Sequence, residues 1–359
     1  MTDKNIIFLI SQPRSGSTLT QKIIGSHSEI YTRGEPWLML PPAYNLKQKG
    51  ITAQYDAQLQ HKAFNIFLDG LAEGRKVYIN EIKKMSLNLY SGYLKGTQYN
   101  YFLDKTPRYY LIIDELQTIF PQAHFILLIR NPLAVLGSMI NTWTKNNWGE
   151  LSKMKYDLIE AIEANIKILT ESNSRFLIIH YEKLILDSEQ VFQNIFDHLN
   201  LTFEKSVLSS YSNNKDEKWA FGDPSNVYEK KGIDSNNDSK WQAGLIDPQY
   251  WRVMYDYLIY IGEENFTKLG YDFTLNMNLL KTHMPAKTLD ELMGKTSSLF
   301  SFFVDPKDRL IQKKEDELSH VKQNLTQKED ELANIYTSKK WKLVSFLAMI
   351  KRVISLKKA

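Results

Sequence analysis

The feature that most constrains the fold is a run of five apolar residues near the start of the chain, Ile6 to Ile10, which a loop with proline and glycine follows at once. An all-apolar, β-branched run closed by turn residues is typical of a strand buried on both faces of a parallel sheet. Residues 125–129 and 176–179 repeat the pattern, and segments with helical spacing follow each of them. Strands that alternate with helices predict an α/β fold, a parallel sheet with helices on both faces.

Length and charge distribution narrow the kinds of partner that the chain can have. The 359 residues are 43% hydrophobic, which suffices for one large domain with appendages. The formal net charge is +4, but residues 339–359 hold seven Lys/Arg and no acidic residue, so the rest of the chain has a net charge of −3. The main domain therefore has no excess of basic residues for nucleic acid, and we expect no nucleic-acid partner.

Cysteine is absent, which excludes disulfides, thiolate metal sites and cysteine nucleophiles. The apolar run near the N-terminus is too short for the core of a signal peptide. No segment reaches the roughly 18 uninterrupted apolar residues that a membrane span requires. These observations predict a cytoplasmic protein.

The character of the sequence changes beyond about residue 275, and the change predicts a division of the chain. We expect a folded domain over residues 1–275, a linker over 276–304, a helical segment with a short coiled coil over 305–336, and a basic amphipathic tail over 337–359. Apolar residues recur every seven positions in the third segment, at Ile311, Leu318, Leu325 and Leu332.

A seven-residue apolar repeat is the spacing of a coiled coil. Charged residues occupy half of the second seam, so a solvated single helix remains the alternative. The tail from Trp341 onward combines apolar residues with five Lys/Arg, a composition that suits a helix at a membrane interface. We therefore expect either peripheral membrane contact or self-association through this C-terminal helix.

The strongest chemical signal is the loop between the first strand and the first helix, which reads Ser-Gln-Pro-Arg-Ser-Gly-Ser-Thr from residue 11. Glycine in a strand-to-helix turn lets backbone N–H groups point at an anion, and the helix N-terminus adds a positive partial charge. Hydroxyls and a guanidinium extend this cradle. The loop therefore predicts a phosphate site formed by Arg14, Ser15, Gly16, Ser17 and Thr18, although a purely structural turn remains the alternative.

A second motif begins at Arg130, directly after the run at 125–129. A cation at the carboxyl end of a parallel strand faces the crevice where such sheets bind ligands. Pro132 suits the first turn of a helix, and Ser138 lies about two helical turns further on, on a similar face. On its own this motif has a plain alternative, a charged strand end followed by a serine on a helix surface.

The two motifs together resemble those of sulfotransferases that use 3′-phosphoadenylyl sulfate (PAPS), in particular tyrosylprotein sulfotransferases and their bacterial relatives. The loop at residues 13–18 is similar to the 5′-phosphosulfate loop of that family, and Arg130 with Ser138 is similar to its 3′-phosphate motif. The resemblance extends over roughly residues 5–270. It implies a P-loop-like fold of three layers and transfer of a sulfuryl group from PAPS to an acceptor hydroxyl.

Further matches carry the resemblance to other positions. Glu35 lies where these proteins keep a catalytic glutamate, and Lys105 lies in a segment similar to their lysine-bearing segment. Tyr181 matches a tyrosine that contacts the nucleotide, and Ser239 and Lys240 match a loop whose lysine meets the nucleotide phosphates.

Departures from the family pattern are small. Ser17 stands where the family commonly has threonine, and no second arginine follows Arg130 on its helix. Spacing places Ser225 near a family serine at the sulfate.

The resemblance implies that Glu35 is the general base and that Arg14 and Lys105 stabilise the transferring group, with His27 as the rival base. Protein cations can neutralise the leaving phosphate in such a reaction, so we expect no metal. The acceptor remains open between a glycan, a lipid, a peptide and a small molecule. Aromatic residues that could form the acceptor pocket are Trp37, Tyr44, Tyr109, Tyr110, Trp143 and Trp148.

Two other classes of function remain open. A P-loop kinase or nucleotide-binding module is one, but the loop lacks the lysine and the spacing of a Walker A motif. A kinase would also need an acidic Mg²⁺ partner at a strand end, where this chain has Arg130. The other class is a non-catalytic PAP-binding scaffold that acts through its coiled coil and tail.

Overall fold

A parallel sheet forms the centre of the protein. We describe a computed structural model that covers residues 1–47, 51, 53, 55–144, 147–171, 175–210, 238–285 and 289–303, and isolated helical residues between 321 and 350. Its strands are β1 (Ile6–Ser11), β2 (Ile30–Thr32), β3 (Tyr101–Asp104), β4 (His124–Ile129) and β5 (Phe176–His180). They lie in the order β2-β3-β1-β4-β5, and every neighbouring pair is parallel.

The apolar run at residues 6–10 forms most of β1, the central strand of the sheet. Every residue of β1 is buried, and Phe8 is paired with Asp104 of β3 on one side and with Phe125 of β4 on the other. Alternate residues of a strand point to opposite faces. Ile6, Phe8 and Ile10 accordingly belong to one hydrophobic cluster, while Ile7 and Leu9 belong to another.

Helices cover both faces of the sheet, so the predicted α/β fold of three layers is confirmed. Short 3₁₀ segments at Pro107–Ile112, Trp148–Met154 and Lys240–Ile246 connect them. The helices are α1 (Ser17–Ile24), α2 (Leu40–Tyr44), α3 (Ala57–Asp69), α4 (Arg75–Leu94), α5 (Ile113–Ile119), α6 (Pro132–Met139), α7 (Lys155–Thr170), α8 (Tyr181–Leu186), α9 (Ser188–His198), α10 (Val207–Ser210), α11 (Pro248–Lys268), α12 (Phe273–Thr282), α13 (Leu289–Lys295) and α14 (Leu299–Phe303).

The compact unit extends beyond the predicted boundary at residue 275 and ends at Phe303. The range 276–304, predicted as a linker, contains most of α12 together with α13 and α14, and these helices bury Leu280, Leu292, Leu299 and Phe303. Hydrogen bonds attach these helices to α11: the Trp251 indole donates to the Leu280 carbonyl (2.8 Å), and the Leu299 amide donates to Asp256 (2.9 Å). Helices this short have too few turns to give a clear apolar period, which is why the sequence resembled a linker.

The predicted coiled coil and the tail lie mostly outside the described residues. Leu325 and the described residues between 341 and 350 are helical and at least partly exposed. None of the described helices has both the length and the apolar character to cross a membrane.

Packing between α6 and the C-terminal half of the domain generates a prediction about stability. A Cβ on Gly137 of α6 would lie 2.6 Å from the Trp241 Cβ and would also overlap the Tyr250 hydroxyl. We expect Gly137→Ala to lower the free energy of unfolding by about 1–3 kcal/mol, because the added methyl group has no room. Urea-induced unfolding of the purified variant measures this change.

Gly92→Ala is the matched control, since Gly92 lies near the end of α4 and nothing lies within 4 Å of a Cβ there. The same substitution at this exposed helical position should stabilise the protein by up to about 1 kcal/mol. Equal stabilities for the two variants would contradict the packing described for α6.

Candidate active site

The carboxyl ends of the parallel strands bring the predicted site residues to one edge of the sheet. The loop with Arg14 follows β1, Lys105 follows β3, Arg130 follows β4 and Tyr181 follows β5. Because β1 lies between β3 and β4, the first three of these segments begin side by side. Ligands of open α/β sheets bind outside this edge.

The loop after β1 is held in a backbone conformation that few residues adopt. Arg14 has φ 69° and Gly16 has φ 90°, both in the left-handed region. A Cβ at position 16 would overlap the Tyr181 ring, with its Cδ2 only 2.5 Å away. Glycine at position 16 therefore serves both the turn and the close approach of α8, and a non-glycine residue such as Arg14 at positive φ is typical of functional sites.

The start of α1 is uncapped and has buried hydroxyls around it. Gly16 is the N-cap residue, and no side chain caps the helix there. Ser15, Ser17 and Thr18 are all buried, and within the described part of the chain the Ser15 hydroxyl has no hydrogen-bond partner. An uncapped helix N-terminus surrounded by buried hydroxyls fits an anion, because its N–H groups and dipole favour negative charge.

Two arginines lie at this loop: Arg14 belongs to it, and Arg130, which follows β4, contacts it. The Arg130 guanidinium lies over the Tyr181 ring at 4.4 Å and donates to the Arg14 carbonyl at 3.1 Å. Burial lowers the pKa of Arg130, but an arginine stays protonated in proteins. Arg14 donates from Nε to the Ser138 hydroxyl at 3.2 Å, and its guanidinium lies 5.9 Å from the Trp143 ring. The structure thus brings both predicted motifs together around one loop.

Glu35 and Lys105 form an ion pair, with the Lys105 Nζ 2.8 Å from the Glu35 Oε1. The lysine side chain is 1% exposed and the glutamate side chain 13% exposed, so the carboxylate is the part that solvent or an acceptor can reach. The Trp37 indole donates to the other carboxylate oxygen at 3.3 Å. The pair places a potential base and a cation in contact at the edge of the sheet.

Asp157, at the start of α7, was not identified from the sequence. Its carboxylate accepts two hydrogen bonds from Arg108 (3.1 and 2.9 Å) and one from the Tyr110 hydroxyl (2.7 Å), and its backbone carbonyl accepts one from Gln12 (2.6 Å). The Arg108 guanidinium also lies 5.6 Å from the Trp37 ring. A lone aspartate in a helical sequence gives no signal of such contacts, because its partners are distant along the chain.

The rival base His27 lies elsewhere. It precedes β2, whereas Glu35 follows it, so the two residues lie beyond opposite ends of that strand. The His27 ring is buried against Phe196, its Nδ1 accepts from the Glu29 amide (3.1 Å), and its Nε2 is bonded to the Thr202 carbonyl (3.0 Å). These contacts assign His27 a structural part.

The remaining predicted residues have different surroundings. Ser239 and Lys240 are exposed at the start of the segment Lys240–Ile246, whose Trp241 packs against α6 at Gly137. Ser225 lies outside the described residues. The residues of the predicted aromatic pocket lie in different places. Tyr109 and Tyr110 are buried in the core, Trp148 stacks on Phe302, and Tyr44 is half-buried in α2. Trp37 lies beside Arg108, and Trp143 lies beside Arg14.

Known proteins with similar sequences include a nodulation protein and a protein-tyrosine sulfotransferase. The nodulation protein NoeE of Sinorhizobium fredii is 26% identical over 297 residues, which cover 75% of this chain and 67% of that protein. Protein-tyrosine sulfotransferase 1 of Danio rerio is 26% identical over 209 residues, which cover 57% of this chain and 56% of that protein. The chain thus spans between half and two thirds of the length of these relatives.

Among solved structures, a sulfotransferase domain from a Synechococcus olefin synthase aligns with a TM-score of 0.48 and 24% identity, covering 68% of this chain and 89% of that one.

A separate comparison shows the family: a profile described as the sulfotransferase family matches residues 6–205. The matched range is more than half of the chain and includes the loop after β1, Glu35, Lys105 and Arg130. The chain therefore belongs to the sulfotransferase family, whose reaction is the transfer of a sulfuryl group.

Proposed function

We propose that this chain transfers the sulfuryl group of PAPS to a hydroxyl of an acceptor, with Glu35 as the general base. The observation that carries the proposal is the Glu35–Lys105 pair at 2.8 Å, at the same edge of the sheet as the loop with Arg14. A base for the acceptor and cations for the donor are the two groups that this reaction requires.

The donor would lie along the edge of the sheet from β3 to β5. Backbone N–H groups of the loop, the hydroxyls of Ser15, Ser17 and Thr18, and Arg14 would hold the 5′-phosphosulfate. The buried, uncapped start of α1 supports this placement. Gly16 lets the loop approach closely enough for its N–H groups to reach the anion.

The 3′-phosphate would be bound by Arg130 and Ser138, and Tyr181 would contact the nucleotide beneath them. The stacking of Arg130 on Tyr181 supports this placement, because it fixes the plane of the guanidinium. Ser239 and Lys240 would contact the phosphates from the segment whose Trp241 packs against α6 at Gly137. Because the Arg130 side chain is already held in place, it would lose little conformational entropy when an anion binds.

In the reaction, an acceptor oxygen attacks sulfur while the bond from sulfur to the phosphate oxygen of PAPS breaks. The acceptor proton moves to a carboxylate oxygen of Glu35, and the electron pair of the broken bond stays on the phosphate of the product PAP. Arg14 and Lys105 stabilise the charge that develops on that phosphate. In this proposal protein cations neutralise the leaving group, and no metal takes part.

The acceptor is assigned here only as a hydroxyl-bearing molecule: a glycan, a lipid, a peptide or a small molecule. Trp37 supports a flat-faced acceptor, since it is 38% exposed and donates to the Glu35 carboxylate. Incubating the protein with radiosulfur-labelled PAPS and fractionated extract, followed by identification of the labelled product, tests the whole proposal. Labelled acceptor should form only when the protein is present.

The C-terminal segment has a separate proposed part. Described residues such as Trp341, Phe346 and Leu347 are helical and exposed, in a region rich in lysine and arginine. We place the enzyme in the cytoplasm, with this segment making peripheral contact with a membrane or associating with a second copy. Nucleic acid has no part in the proposal.

PAP should raise the melting temperature of the protein in the presence of EDTA, because a ligand that binds only the folded state stabilises it. At a PAP concentration of a hundred times Kd, the free energy of unfolding should rise by about 2.7 kcal/mol. AMP, which lacks the 3′-phosphate, should do so much less.

Arg130→Ala should weaken PAP binding about thirtyfold or more and leave AMP binding nearly unchanged. Equal losses for both nucleotides would show that Arg130 does not contact the 3′-phosphate.

Glu35→Gln should lower turnover about 10²- to 10⁴-fold, since the amide keeps a similar shape and cannot take up the proton. PAP affinity should stay close to that of the wild type. Glu29→Gln is the control, a half-buried glutamate six residues away that accepts a hydrogen bond from Asn100. Full turnover in Glu35→Gln would remove the base assignment, whatever the control does.

Deleting residues 305–359 should preserve PAP binding and abolish sedimentation with anionic liposomes at low salt. Cations near an anionic surface contribute about 1 kcal/mol each, and an apolar helix face adds to this. Liposomes of neutral lipid are the control. If the full-length protein does not sediment with anionic liposomes, the membrane proposal fails, and analytical ultracentrifugation then tests self-association.

A further inference from the structure

A buried carboxylate that the proposed mechanism does not use lies directly before Lys105. Asp104 is fully buried at the end of β3. Its Oδ2 accepts from the hydroxyls of Tyr90 (2.6 Å) and Tyr109 (2.9 Å), and its Oδ1 accepts from the Thr106 hydroxyl (3.1 Å). Three hydroxyl donors around one buried carboxylate form a polar network in which both oxygens of the acid are hydrogen-bonded.

Two of these hydroxyls are themselves acceptors for the backbone that follows Glu35. The Trp37 amide donates to the Thr106 hydroxyl at 3.3 Å, and the Met39 amide donates to the Tyr109 hydroxyl at 3.1 Å. Each hydroxyl gives its hydrogen to Asp104 and presents a lone pair to the amide. We call the two chains, amide to hydroxyl to Asp104, the hydroxyl relays.

The segment held by the relays is one that needs support. Trp37 has φ 55°, in the left-handed region where a residue with a side chain is strained. Such a conformation persists only where the surrounding structure fixes it. The Trp37 indole also donates to Glu35, so the backbone at residue 37 determines where the carboxylate lies against Lys105.

We propose that Asp104 is a positioning residue, which fixes Glu35 against Lys105 through the two hydroxyl relays. The inference rests on the proposed function, because it assigns a purpose to the place of Glu35. The relays themselves are structural and are testable without any substrate. A misplacement of about 1 Å at a catalytic group can cost on the order of a hundredfold in rate, so such support has a measurable value.

The relays require an ionised Asp104. A protonated Asp104 would carry a hydrogen of its own, and the three hydroxyls could no longer all donate to it. The groups that face it are Tyr90 from α4, Tyr109 from the 3₁₀ segment, and Thr106 and Lys105 from its own strand end. Burial raises the pKa of Asp104 to about 6, although the hydroxyl hydrogen bonds and the Lys105 charge act to lower it.

The two phenols remain donors at every pH of interest. Burial, and then the charge of Asp104, raise the pKa of both Tyr90 and Tyr109 well above the usual value for tyrosine. Within the relays, Asp104 is therefore the group whose protonation changes a hydrogen bond as the pH falls below neutral.

Tyr109→Phe and Tyr90→Phe form a matched pair for the test. Both tyrosines are buried and bond to the same Asp104 oxygen, but among the described residues only Tyr109 accepts from a backbone amide in doing so. In Tyr109→Phe, the Met39 amide should exchange with solvent deuterium about tenfold faster or more, since one hydrogen bond is lost. Exchange in Tyr90→Phe should stay near that of the wild type.

Thr106→Val and Thr106→Ser form a second pair, in which serine keeps the hydroxyl. Exchange at Trp37 should accelerate in Thr106→Val and be restored in Thr106→Ser. Turnover with the labelled acceptor fraction should fall at least about tenfold in Tyr109→Phe and Thr106→Val, as a loss in kcat rather than in PAP affinity. The serine and Tyr90→Phe variants should keep most of their turnover.

The pH dependence gives an independent readout in the wild type. Protection of the Trp37 amide or of the Met39 amide, corrected for the intrinsic exchange rate, should fall as the pH decreases from 7 to 5, in the relay whose hydroxyl gives way to the Asp104 proton. The pKa of Asp104 is raised in the folded state, so protonation of this group between those values favours the folded chain. Loss of protection at such an amide is then local opening and not general unfolding.

Two results would overturn the proposal. One is unchanged exchange at Trp37 and Met39 in Thr106→Val and Tyr109→Phe when both are folded by circular dichroism. The other is equal loss of turnover in Tyr90→Phe and Tyr109→Phe, which would mean a general effect of core packing. Failure of the proposed function has a different signature, because the wild type would then label no acceptor while the exchange pattern still followed the relays.

Discussion

The structure depends on the complete burial of β1 between two strands that run parallel to it. Its six residues offer no polar side chain before Ser11, so the strand is stable only with a sheet neighbour on each side and a hydrophobic cluster on each face. Parallel pairing then decides where chemistry can occur. The chain leaves β3, β1 and β4 at the same edge, and the segments with Lys105, Arg14 and Arg130 therefore begin as neighbours.

Charges gathered at that edge are already paired in the protein alone. Arg130 stacks on Tyr181, Lys105 contacts Glu35, and Arg108 is bonded to both oxygens of Asp157. A charge buried without a partner would cost several kcal/mol, so these contacts let the cations stay in place before a ligand arrives. In the proposed mechanism, cations held in this way would stabilise developing charge without having to reorganise during the reaction.

Local sequence pattern predicted some parts of the protein, and family resemblance predicted others. The all-apolar runs predicted β1, β4 and β5. The anion site at the Ser/Gly-rich loop with Arg14 stays a prediction, which the uncapped start of α1 supports. Asp104 and Asp157 could not be found in this way, because their importance comes from partners on other strands and helices. Glu35 and Lys105 were identified by family resemblance alone, since no spacing rule links residues 70 positions apart. The helices between residues 276 and 303 were missed because α13 and α14 are too short to show a period.

Asp157 has a consequence for how such an enzyme can be altered. The same residue is bonded to Gln12 in the loop that begins the anion site and to Arg108, which lies against Trp37 beside Glu35. Asp157 therefore contacts both the loop after β1 and the residues beside Glu35. Where a graft replaced the segment with Arg108, the buried Asp157 carboxylate would lose two hydrogen bonds, so a graft that keeps an arginine able to reach Asp157 would disturb the loop with Gln12 least.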